Sequence, residues 1–435
     1  MPPLRRLTTD RLRVFFSRLK DRLWVRPLLL CVLAVGGTFI ARLVDGTGLA
    51  DVLPRIQQDS VESLLTIMAS SMLVIATFSV GAMVAAYASA SVGATPRSIP
   101  LVISDDVTQN ALSAFIGAFI FSIVSLVAVQ NHIFGSAGLF AIYVLTLLVF
   151  AIVILTFVRW VDRIARLGRV VNTIEKVEEA ATGALDRRRH APTLGALAIS
   201  ASQIRETGIP VFPPKVGYVQ HVDLETLQSA AEAADCRVMV TALPGTFVSA
   251  RRPILRVAGC DAFEPEAFSG AFTICPNRVF EDDPRFALLA LSEIADKALS
   301  PGMNDPGTAI NVIGAMVRLF TLWVSPLEPD RVMEITYDRV SVPTLEIDDL
   351  FDDAFTAIAR DGAGFVEVSI RLQKAFRALA ETDDQVLIEA AKRHSRMALA
   401  RSERAMSFPA DIDAVRRAAS FSALGAQDEG AARGL

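Results

Sequence analysis

ESLLTIMASSMLVIATFSVGAMVAAYASASVGATPR, residues 62–97, holds no charged side chain between Glu62 and Arg97. A helix rises 1.5 Å per residue and the hydrocarbon core of a bilayer is about 30 Å thick, so about 20 apolar residues cross it. The stretch is long enough with turns to spare, and it places the chain among helical membrane proteins. Its second half carries two adjacent rows of small residues at helical spacing, Gly81, Ala85, Ser89, Gly93 and Ala82, Ala86, Ala90, Ala94. A face this shallow lets another backbone approach closely. Two uses stay open: packing inside one subunit, or a subunit contact or pore lining built on Gly81, Ala85, Ser89 and Gly93.

Outward from this span, apolar runs at Trp24 to Val44, Val107 to Val129 and Leu139 to Val158 predict three more, giving four transmembrane helices over residues 27–158. The composition agrees: 52% of the 435 residues are hydrophobic and 21% charged, against about 25% charged in soluble domains. The net charge of -4 hides an asymmetry, because residues 1–26 hold eight Arg or Lys against two Asp, and the remainder carries a net of -10. The basic arm reads as a cytoplasmic segment lying on anionic lipid. With that electrostatic partner, no nucleic acid is expected. Four arginines, Arg159, Arg163, Arg166 and Arg169, follow the fourth span. Positive charge before the first span and after the last puts both termini inside, in a bacterial inner membrane. The middles of the spans lack Asp, Glu, Lys, Arg and His, which argues against an ion-coupled transporter. Their hydroxyls, among them Ser79, Ser113, Ser122 and Thr146, read as hydrogen bonds between helices.

Apolar residues from Val161 to Leu185 recur in steps of three and four, so the fourth span is expected to run on into a stalk helix over 159–190. A cytosolic α+β domain follows over 191–425, mostly helical with a small β-rich unit, and 426–435 reads as a frayed tail. Within the domain a short helix is expected at 193–206. Strands are expected at 217–222, 236–243, 246–248, 253–257 and 339–345, and helices at 224–234, 347–359, 365–380, 384–406 and 409–423. Cys31, Cys236, Cys260 and Cys275 show no C-x-x-C spacing and the four histidines are scattered, so reduced thiols and no metal or cofactor are expected. Asp348/Asp352 and Asp349/Asp353 read either as a cation-binding face or as an acidic first turn favoured by the helix dipole.

Residues 278–321 hold the candidate site. Asp283-Pro284 and Asp305-Pro306 each set an acidic cap before a proline at the first helical position, where its missing N–H costs nothing. Between these helices lies the turn Ser300-Pro301-Gly302-Met303-Asn304-Asp305. Capping explains much of this composition as a structural corner. Arg278, Glu293, Lys297, Ser300, Asn304, Asp305 and Thr308 form the candidate ligand-binding cluster. Ser300 has no histidine to activate it, so no catalytic residue is assigned. No phosphate loop, dinucleotide fingerprint or nucleophile elbow occurs. An oligomeric channel-like protein with a ligand-binding cytosolic domain fits these features; a membrane-anchored binding or scaffold module, or a membrane-tethered enzyme, remains as an alternative.

The strings Arg278-Val279-Phe280-Glu281-Asp282-Asp283-Pro284-Arg285-Phe286-Ala287 and Leu299-Ser300-Pro301-Gly302-Met303-Asn304-Asp305-Pro306-Gly307-Thr308-Ala309, with Gly217-Tyr218-Val219-Gln220 and Pro244-Gly245-Thr246-Phe247-Val248 upstream, resemble the bacterial predicted membrane proteins grouped as domain of unknown function 2254. The resemblance implies the same layout of spans and soluble domain and brings no activity. Asp162-Arg163 and Arg251-Arg252 depart from the family pattern.

Overall fold

The computed structural model describes residues 25–45, 53–103, 105–166, 168–200, 208–260, 262–327 and 333–422. The basic arm through residue 24 and the tail expected at 426–435 lie outside the described residues. The chain divides into two compact units, one of Met1–Val92 with Ile99–Asn172, the other of Gly93–Ser98 with Thr173–Leu435.

The first unit is helical: α1 (Val25–Val44), α2 (Gln58–Gly93), the short α3 (Ile99–Ile103), α4 (Asp106–Gln130) and α5 (Ser136–Arg166). Helices α2, α4 and α5 are long and apolar enough to cross a membrane, where the second to fourth spans are expected. The first expected span is the 20-residue helix α1. Leu65, Met68 and Met72 of α2 meet Phe115 and Phe121 of α4 and Ile142 and Trp160 of α5 in one core. Trp160 is its anchor, with the rings of Phe78, Phe115 and Phe157 centred 6.1, 6.2 and 6.0 Å away. The opposite faces are apolar and uncovered; Val74 is 68% exposed and Leu155 63%. Hydrocarbon, not water, is the solvent such a surface fits.

The hydroxyls differ from expectation. Ser79, Ser113, Ser122 and Thr146 are buried, yet each donates to the carbonyl four residues back in its own helix, at 2.7, 2.6, 2.7 and 2.7 Å. Intrahelical bonding is available to every Ser and Thr without a partner helix, and it prevails here. The Thr38–Ser125 pair, at 3.1 Å, does join α1 to α4. Further polar bonds sit at helix ends. Asp45 accepts from the amides of Gly135 and Gly138 at 2.8 and 2.6 Å. Asp105, 1% exposed, caps α4 through Thr108 and takes Nε and Nη2 of Arg163 at 3.0 and 2.5 Å.

The stalk is not continuous. Helix α5 stops at Arg166 and α6 (Val170–His190) begins afresh. Gly168 takes a φ of +87°, and a Cβ there would lie 2.9 Å from the Ala86 carbonyl oxygen, so only glycine makes this break at low cost.

The second unit combines two sheets and a layer of helices. Strands β1 (Ala196–Ala198), β2 (Ile209–Val211), β3 (Gly217–Val222), β4 (Arg237–Val240), β5 (Phe247–Val248), β6 (Leu255–Ala258), β7 (Phe272–Cys275) and β8 (Tyr337–Val342) alternate with α7 (Leu224–Ala233) and α8 (Pro265–Ser269). Five strands run in the order β1-β8-β4-β6-β2, three in the order β5-β3-β7. The helix expected at 193–206 is corrected over its described part, because Ala196–Ala198 pairs in parallel with β8. Sheet pairing overrides the local preference of so short a segment.

Helices α9 (Pro284–Leu299), α10 (Pro306–Val324), α11 (Ile347–Asp361), α12 (Val366–Ala380), α13 (Gln385–Ala405) and α14 (Pro409–Ala419) complete the unit. Phe320, Phe351, Phe355 and Phe376 interlock at their centre, with successive ring centroids 4.5, 5.4 and 5.0 Å apart. By length and composition α10 could also cross a membrane. Its packing accounts for its apolarity otherwise: Val312, Ile313, Ala315 and Met316 are fully buried. Arg318 reaches Glu178 with Nε and Nη2 at 2.6 and 2.7 Å.

Candidate functional site

Both acidic caps form, Asp283 at the start of α9 and Asp305 at the start of α10. Asp283 accepts from the amide of Phe286 at 3.0 Å and from Arg278 Nε and Nη2 at 2.7 and 2.9 Å. The carboxylate is 2% exposed, and burial pushes it above the usual range, with Arg278 pulling the other way. Arg278 also lies over the ring of Phe286, 5.1 Å from its centroid. Gly245 lets this happen: it has a φ of +89°, and a Cβ there would collide with the Asp283 carboxylate.

At the other end the turn is closed by its own atoms. Ser300 Oγ donates to the Lys297 carbonyl at 2.6 Å, and the Asp305 amide to the Ala298 carbonyl at 2.8 Å. Asn304 sits at a φ of 48°, a conformation asparagine tolerates better than most residues. Asp305 caps α10, taking the Thr308 amide at 3.1 Å and its hydroxyl at 2.6 Å. These bonds from Thr308 hold its carboxyl below the usual range. Ser300, Asn304, Asp305 and Thr308 are thus engaged in building the corner.

Beside that corner opens a cleft of about 910 Å³, lined on α9 by Glu293, Asp296 and Lys297 and just past its end by Ser300, on the far side by Arg360, Asp361 and Phe365, and by Thr95 and Pro96. The segment Gly93–Ser98 forms its edge. Thr95 Oγ1 donates to Glu293 Oε2 at 2.9 Å, and Lys297 Nζ to the Ala94 carbonyl at 2.7 Å. Arg97 forms an ion pair with Glu293. Arg360 is paired with Asp361 Oδ1 at 2.6 Å and Asp296 at 3.4 Å.

Of the residues chosen from sequence, the cleft gathers Glu293, Lys297 and Ser300. Arg278 belongs to the opposite end of α9, a helix of 16 residues and so about 24 Å long. Thr95, Arg97, Arg360 and Asp361 escaped sequence reading, since nothing local ties them to α9. On α2, Gly81, Ala85 and Ser89 face outward while Ala86 and Ala90 are buried, and Gly93 is half-buried. Asp349 and Asp353 both pair with Arg285, so those acids serve an ion pair. Among the described residues no three His, Cys, Asp or Glu side chains converge as a metal ion would need.

Charges of both signs line an open cleft, and the one hydroxyl of interest, that of Ser300, faces its own helix end rather than a base.

An uncharacterized protein of Mycobacterium bovis and one of Mycobacterium tuberculosis strain H37Rv are each 22% identical over 336 residues, covering 74% of this chain and 64% of theirs. The chain therefore spans less than two thirds of the length of these curated relatives. No solved structure matches it significantly. With its apolar helices and its central strings in place, the chain belongs to the predicted membrane proteins of domain of unknown function 2254, whose family model matches residues 20–378.

Proposed function

We propose that the protein is an oligomeric, channel-like inner-membrane protein, both termini cytoplasmic, whose second unit is a cytosolic domain that binds a small ligand in the α9 cleft. The observation that carries this reading is the cleft's edge. Thr95 and Pro96, which help line it, come one residue after the end of the 36-residue helix α2, so a ligand seated against them bears on the segment that follows a membrane helix. The outward row Gly81, Ala85 and Ser89 supports a subunit contact of the small-residue kind. The arginines after the fourth span support cytoplasmic placement.

The test has two arms. A thermal-shift screen against a panel of small metabolites should give a hit that Lys297→Ala and Arg360→Ala both lose and Ala85→Leu retains. Reconstituted protein should pass K⁺ or Cl⁻ into liposomes, and Ala85→Leu should cut that flux and the oligomer together. No hit overturns the binding site. No flux from a protein that is monomeric in detergent overturns the channel and leaves a membrane-anchored binding module.

A further inference from the structure

Away from the cleft, two cysteines lie at one end of a strand pair of the five-stranded sheet. Strands β4 and β6 are antiparallel, with Arg237 opposite Ala258, which brings Cys236 and the residues just past β6 to one end of the ladder. Gly259 there takes a φ of +92°, and Cys260 follows it. Cys236 is 1% exposed in the sheet core, and the half-buried Cys260 packs against that core. The register of the ladder sets Cys260 one residue past the position opposite Cys236, and both thiols are free. Burial, then the neighbouring Cys260, push the Cys236 thiol up to about 11, so it stays protonated near neutrality and is a poor first nucleophile. Cys260 is the better placed of the two to meet a solute.

We infer that Cys236 and Cys260 are a peroxide-sensitive dithiol that closes to a disulfide across the end of the β4–β6 pair. The Cys260 thiolate attacks one peroxide oxygen; the O–O bond breaks, the departing hydroxide takes a proton, and a sulfenic acid and water result. The Cys236 sulfur then attacks the Cys260 sulfur, the S–O bond breaks, and the hydroxyl leaves as a second water with the Cys236 proton. Both electrons lost by the thiols go to the peroxide. A small thiol reverses the bond by exchange. The segment between the cysteines leaves this sheet to place β5 beside β3 in the other, so the bridge ties off the base of that excursion. In a reducing compartment the pair stays open, and the bridge forms in response to oxidant.

Full-length protein in detergent, treated with hydrogen peroxide, quenched by alkylation and mapped by mass spectrometry, tests this. The expected product is a Cys236–Cys260 linked peptide that dithiothreitol removes, with Cys31 and Cys275 still alkylated as thiols. In Cys236→Ser, Cys260 should accumulate as a sulfenic acid trapped by dimedone; in Cys260→Ser, Cys236 should stay reduced. Oxidation of wild-type Cys260 to sulfinic acid without the linked peptide overturns the inference, as does a linkage to Cys275 or between chains. The wild-type map decides the matter even where a serine variant fails to fold.

Discussion

Asp283 and Asp305 show how one sequence device acquires two weights. Each caps a helix ahead of a proline, but Asp283 is also buried against Arg278 whereas Asp305 is exposed. Removing one partner of a buried pair costs about 3–5 kcal/mol, and losing a cap about 1 kcal/mol. Asp283→Ala should therefore lower the chemical-denaturation midpoint several times more than Asp305→Ala; equal losses would mean the Arg278 pair contributes nothing. His394 offers a second measurement. It is 2% exposed, its Nε2 3.2 Å from Asp352, with Asp348, Arg393 and Arg401 also acting on it. Burial first of all lowers it from 6.5 to about 4. A group that the folded state keeps neutral stabilises above its unfolded pKa, and that stability is lost as pH falls from about 6.5 towards 4, up to about 3 kcal/mol. Urea midpoints from pH 7 down to pH 5 should fall less steeply for His394→Gln than for the parent chain. Matching slopes would assign the acid sensitivity to other groups.

Among elements, those whose cause is local could be read in advance. The two Asp-Pro starts, the uncharged run of α2 and the alternation of β3 each carry their reason within a few residues. What could not be read depends on partners far along the chain. Thr95 meets Glu293 across 198 residues, and no periodicity announces such a meeting. Ala196–Ala198 is a strand because β8 lies beside it, and the break at Gly168 depends on the close approach of Ala86. The candidate site was accordingly half legible, its α9 wall visible and its other walls not. Packing between elements is testable at Phe355, fully buried with Phe320 and Phe376 centred 5.6 and 5.0 Å away. Phe355→Ala should cost about 3–5 kcal/mol by denaturant titration, and a loss under about 1 kcal/mol would show the aromatic cluster to be loosely packed.

For the whole molecule, composition and family agree that the chain lives in a membrane, and the arrangement of charge yields an expectation about sidedness. Single cysteines introduced near residue 169 and near the C-terminus of a thiol-free variant should react with an impermeant maleimide only after the cells are broken, whereas one at Gln130 or His132 should react in intact spheroplasts. Labelling of residue 169 from outside would overturn the proposed orientation.

The hydroxyls of the first unit bear on how its helices move. Ser79, Ser113, Ser122 and Thr146 spend their hydrogen bonds within their own helices, and the polar ties of Asp45 and Asp105 lie at helix ends. Apart from the Thr38–Ser125 pair between α1 and α4, a helix whose midsection is held by dispersion can slip or roll against its neighbour without breaking a hydrogen bond on the way. Its resistance to sliding then comes from side-chain shape, chiefly the rings around Trp160. Such a bundle is compliant at mid-depth and stiff at its rims, and acyl-chain length, more than any titration, is the variable that would deform it.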